Sequence, residues 1–118
     1  MSIKTPQEME VWYVIPAIRR EMVKELLKRK ASQKQAAKLL GLTEAAVSQY
    51  LSGKRGADIK FEPEMKAEIR KSVDAIMKGS EVMAEMHRIT SFCRKRGTLC
   101  KLHRKMGPVP EGCRVCLE

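Results

Sequence analysis

Apolar residues recur three or four positions apart over most of the chain, and short alternating runs are rare. That period predicts helices and leaves no clear strand. Thr5 and Pro6 form a cap and a first-turn proline, which predict a short helix to about Tyr13. Pro16 suits the first turn of a second helix over 16–29. Its Ile18, Met22, Leu26 and Leu27 share one face, while Arg19, Arg20, Lys24 and Lys28 point elsewhere. Ser32 caps a third helix with Ala36, Ala37 and Leu40 inward, and Gly41 supplies a left-handed stop. Thr43 caps a fourth, with Val47, Tyr50 and Leu51 inward, and Gly53 ends it. Pro63 opens a fifth, in which Met65, Ile69, Val73, Ile76 and Met77 recur at helical intervals until Gly79. Ser80 is placed to cap a sixth, along which Val82, Met83, Met86, Ile89, Thr90 and Cys93 line up. Trp12 and Tyr13 are read as packing residues rather than platforms for nucleic-acid bases.

The third and fourth helices, with the glycine between them and the basic Lys54-Arg55 behind, make a complete helix-turn-helix over 31–55. The short Ala37 lets two steeply crossing helices approach. With its Gln, Ala, Gly, Val-Ser and Gly-Lys-Arg positions, the unit resembles the phage-repressor family of helix-turn-helix domains. The run "VSQYLSGKRG", the preceding Ile15-Pro16-Ala17-Ile18-Arg19 and a cysteine-bearing tail also resemble a group of archaeal predicted transcriptional regulators. The resemblance implies an all-α, repressor-like helical bundle with a small cysteine-rich metal-binding tail. Three regions follow: a DNA-binding domain over 1–57, amphipathic helices over 58–92 that lean towards dimerisation, and a cysteine tail over 93–118.

Charge agrees with the motif. The 118 residues carry 24 Lys and Arg against 14 acids, a formal charge of +10, which points to a polyanionic partner. The hydrophobic fraction of 43% suffices for a core, and the 4% of aromatics suits helices packed through aliphatic side chains. No apolar run is long enough to span a bilayer and no signal peptide precedes the fold, so a cytoplasmic location is expected. Structural disulfides are disfavoured there, hyperthermophiles excepted.

By resemblance, the fourth helix lies in the major groove of double-stranded DNA with its first residues on base edges. Here those are Glu44, Ala45 and Gln49, with Thr43 at the cap. Gln49 can pair bidentately with adenine, Glu44 can accept from cytosine N4, and Ala45 can touch a thymine methyl. The family often carries Gln where this chain has Glu44. Gln33, Ser48, Ser52, Lys54 and Arg55 are assigned to phosphates. Readers of this kind usually bind two half-sites about 34 Å apart, which favours a homodimer.

All four cysteines, Cys93, Cys100, Cys113 and Cys116, fall in the last quarter with spacing C-x6-C-x12-C-x2-C. The Glu111–Cys116 stretch has the shape of a metal knuckle, its glycine allowing a tight turn. Four thiolates suit an iron–sulfur cluster or zinc. A single CxxC half and a six-residue gap on the other side favour a cubane [4Fe–4S] cluster. Zinc is the alternative, and disulfides or unbonded thiols come third. From Arg88 to Pro110 there are seven basic residues and no acid, a setting that would stabilise a negatively charged centre. His103 could act as a ligand but is more often a supporting residue, and His87 is read as an ordinary surface group.

The preferred reading is a dimeric DNA-binding regulator with a redox- or iron-responsive cluster. The next is the same regulator with a structural zinc. A thiol–disulfide enzyme using Cys113 and Cys116 ranks below both, because that motif sits at a helix start in a βαβ setting absent here. No Ser/His/Asp set, phosphate loop or acid pair supports other catalysis, so the chain is read as a non-enzyme.

Overall fold

The computed structural model describes residues 8, 10–57 and 59–96, and every regular element among them is helical. Five α-helices follow one another: α1 (Ile15–Lys28), α2 (Gln33–Leu40), α3 (Glu44–Ser52), α4 (Pro63–Met77) and α5 (Val82–Lys95). Helix α1 packs on α2, α3 and α4, and α5 packs on α4. The first expected cap, Thr5, lies outside the described residues.

The segment before Pro16 differs from expectation. Residues Glu10–Val14 form a π-helical turn that runs directly into α1, so no break separates the first helix from the second. Pro16 cannot donate a backbone hydrogen bond, and a wider turn ahead of it tolerates that loss without ending the helix. Val14 is fully buried and Tyr13 packs against the core, whereas Trp12 is 56% exposed and contributes less to packing than its type suggests.

Caps explain where the short helices start. The Ser32 hydroxyl accepts from the Gln35 amide at 3.0 Å, and the Gln35 side chain accepts from the Ser32 amide at 2.8 Å, a reciprocal capping box. Thr43 Oγ1 accepts from the Ala46 amide at 3.0 Å. Both helices end on left-handed glycines, Gly41 (φ 68°) and Gly53 (φ 82°). The Leu42 amide returns to the Ala37 carbonyl, and that of Lys54 to Gln49, satisfying orphan carbonyls. The predicted Ser80 cap is not formed. Glu81 is the N-cap of α5 and supplies no side-chain hydrogen bond, so α5 begins one residue later and is held by packing instead.

One continuous core joins all five helices. Ile18, Met22 and Leu26 of α1 meet Ala36, Ala37 and Leu40 of α2, and Val47 and Tyr50 of α3. Met65, Ile69, Val73 and Ile76 of α4 and Ile89 and Cys93 of α5 extend the same core. Leu27 and Leu51 are only partly buried against it. Two expected inward residues face outward: Met77 is 45% and Met83 83% exposed. Each sits near an end of its helix, beyond the reach of the neighbouring element's apolar face.

Polar contacts lock α5 to α4. The Arg88 guanidinium donates to Glu68 Oε2 and to Ser72 Oγ, both at 2.6 Å, and Ser72 is fully buried. The Arg88 hydrogen bond holds the Glu68 carboxyl below its usual range, against the opposing effect of burial. Arg96 pairs with Glu62 and Glu64 at the start of α4. Arg29 bridges Glu25 and Asp74, tying the end of α1 to α4.

Gly56 marks the tightest approach. Its φ is +74°, and a Cβ there would come within 2.4 Å of the Pro16 carbonyl oxygen. The loop after α3 is thereby pressed onto the start of α1. Gly41 has a similar φ of +68° but open space around it. Gly56→Ala should therefore cost about 2 kcal/mol or more, combining backbone strain and overpacking, and Gly41→Ala only about 1 kcal/mol. Urea denaturation of the two variants checks this; equal losses would contradict the close packing of Gly56 on Pro16.

Candidate nucleic-acid interface

Helix α3 is nine residues long and half of it is exposed. Val47 and Tyr50 are buried, while Glu44, Ala45, Ser48 and Ser52 lie on the open side. Thr43, Lys54 and Arg55 at its two ends are also exposed, as is Gln33 at the start of α2. The structure thus gathers eight of the nine expected DNA-contacting residues on accessible positions around one short helix. The ninth, Gln49, is half-buried.

Hydrogen bonds refine the expected roles. Ser48 Oγ donates to Gln33 Oε1 at 3.0 Å, linking the open sides of α2 and α3. That bond uses the acceptor end of the Gln33 amide and leaves its NH2 donors for another acceptor. Ser48 itself has its hydroxyl proton engaged, and Ser52 Oγ donates to the Gln49 carbonyl at 3.1 Å. Gln33, Lys54 and Arg55 are consequently better placed than the two serines to donate to an anion.

Gln49 organises the end of the helix. Its backbone carbonyl accepts from the Lys54 and Arg55 amides as well as from Ser52, which fixes the basic loop. Its side-chain Oε1 is shielded from solvent and has no hydrogen-bond partner among the described residues. Such a carbonyl carries a desolvation cost of about 1–3 kcal/mol. Turning the amide outward towards a donor would relieve it.

Two positioning groups escape the sequence pattern. Arg20, read as solvent-facing, sits half-buried and donates through Nε to the Tyr50 carbonyl at 3.3 Å, holding α3 to α1. Gly56 presses the following loop onto Pro16. A lone Arg on the polar side of a helix carries no signal of its carbonyl partner. The glycine after a basic pair was visible, but its close neighbour was not.

A capped helix start, a left-handed turn and a basic exit are fixed in three dimensions. Residues 23–61 match the family model described as helix-turn-helix. Over this segment the chain is similar to that helix-turn-helix family. The family is one of DNA-binding transcriptional regulators, and the matched residues contain the whole of α2 and α3. No curated protein and no solved structure matches the chain. Among the described residues, no helix is long and apolar enough to cross a membrane.

The cysteine tail is placed only at its root. Cys93 is fully buried near the end of α5. Cys100, Cys113, Cys116 and His103 lie outside the described residues. Among the described residues, no three His, Cys, Asp or Glu side chains group as metal ligands. The basic run after Arg88 is less available to a cluster than its sequence suggests, because Arg88 and Arg96 pair with carboxylates of α4 and of the turn before it. His87 is exposed, in keeping with a surface role.

Proposed function

We propose that the protein is a sequence-specific transcriptional regulator that places α3 in the major groove of double-stranded DNA and acts as a homodimer. The observation that carries this reading is the capped, half-exposed α3 with Gln33, Lys54 and Arg55 flanking it. Gln33 offers amide donors at the start of α2, and the basic pair offers cations behind α3, so both ends of the unit can hold phosphates. Between them Glu44 and Ala45 face outward to base edges, and Gln49 reaches them once its amide turns outward. Thr43 keeps the helix start in register. The overall charge of +10 favours association with DNA of any sequence, and the base-edge residues supply the choice among sequences.

Phosphate and base contacts separate in binding experiments. Gln49→Ala is expected to narrow the gap between a selected site and random duplex. Lys54→Ala should weaken both alike and reduce the salt slope by about one. Competition binding over a range of salt concentrations measures both, and equal losses on specific and random DNA for the two variants would contradict the division of roles.

The same proposal gives the C-terminal tail an iron–sulfur cluster held by Cys93, Cys100, Cys113 and Cys116, responsive to redox state or iron. The support is the spacing of the four cysteines and the chemistry of a tetrathiolate set. Cys93 is carried by the helix that Arg88 and Arg96 lock to α4, so a change at the tail has a mechanical route into the helical body. A structural zinc without sensing is the second reading, favoured by the CxxC pair alone. Metal and acid-labile sulfide analysis of protein purified without oxygen separates the two. Brown protein with iron and sulfide in equal amounts is expected; colourless protein with about one zinc per chain would overturn the sensing role.

A further inference from the structure

On another side of the molecule, an open groove of about 650 Å3 runs between the start of α1, the α2–α3 turn and the first half of α5. Its floor is apolar, built from Ile15, Leu39, Leu40, Val82 and Met86, and Met83 stands over it at 83% exposure. Its rim carries Arg19, Lys38 and His87. No carboxylate lines it, and none of these three side chains has an acidic partner among the described residues. Three arginines of the helical body behave otherwise. Arg29, Arg88 and Arg96 are each paired with one or more carboxylates. A second groove at the end of α4 is lined by the paired Arg29 together with Lys30 and Lys38, so the two grooves share Lys38.

An apolar trough with unanswered cations on its edge selects an occupant of matching character. Its size is that of a small-molecule site. A hydrocarbon or aromatic body would cover the leucine, valine and methionine floor, and methionine adapts readily to such shapes. One anionic group would sit between Arg19 and Lys38, with His87 as a further donor. We propose that this groove binds a small amphipathic organic anion, an apolar body bearing a single carboxylate, sulfonate or phosphate. The site shares Leu39, Leu40 and Gly41 with the turn that presents α3, so its occupant touches α5 and the helix-turn-helix together.

The test uses the full chain without DNA, so its outcome is independent of the role assigned to α3. Fluorescence titration compares 8-anilinonaphthalene-1-sulfonate with its uncharged analogue N-phenyl-1-naphthylamine. The sulfonate should saturate at one molecule per chain and bind more tightly than the neutral probe. Lys38→Ala and His87→Ala, both at exposed positions, should each weaken the sulfonate about two- to fivefold and leave the neutral probe unchanged. Met83→Glu should abolish binding of the sulfonate, and Lys71→Ala on α4 should change nothing. Circular dichroism verifies that each variant is folded. Absence of saturable binding, equal affinity for the two probes, or sulfonate binding untouched by Met83→Glu would each overturn the proposal. So would a dimer that Met83→Glu splits into monomers while the sulfonate fails to bind, since the groove would then belong to a second copy of the chain.

Discussion

A nine-residue helix does not hold its shape alone in water, and everything around α3 answers that constraint. Tyr50 and Val47 bury one side of it in the core. Thr43 closes its start and Gly53 its end. Arg20 reaches across from α1 to the Tyr50 carbonyl, and Gly56 lets the exit loop lie directly on Pro16. The anchoring element is therefore α1, which also carries α2 and α4. A side of α3 can stay open to a ligand because these contacts fix the other.

Much of this was legible in the residues. Ser32, Thr43, Gly41 and Gly53 are local signals whose meaning depends on a few neighbouring atoms, and the structure forms the caps and stops they indicate. Pro63 opens α4 for the same reason. What the pattern missed depends on tertiary context. Ser80 has the chemistry of a cap, yet the chain bends so that Glu81 takes the position. Met77 and Met83 keep helical phase with their buried neighbours, but among the described residues no partner element covers them. Periodicity reports which side of a helix is apolar; it does not report how far the neighbouring helix reaches.

The candidate interface divides in the same way. Exposure of Glu44, Ala45, Lys54 and Arg55 follows from the phase of α3 and its glycine stop. The bond from Ser48 to Gln33, and the shielded Oε1 of Gln49, follow from how α2 and α3 cross. These details alter which groups have protons to offer an anion. Beyond α3, the amphipathic helices α4 and α5 do not form a separate body. They complete the core that α1 begins, and Arg88 with buried Ser72 holds them together.

The proposed function depends on the open side of α3 meeting DNA. Amide chemical-shift mapping of the full chain during titration with a duplex tests it directly. With α3 on the duplex, the largest shifts fall on Gln33, on Thr43 through Ser52, and on Lys54 and Arg55. Shifts concentrated on α4 and α5, with α3 unmoved, would contradict it.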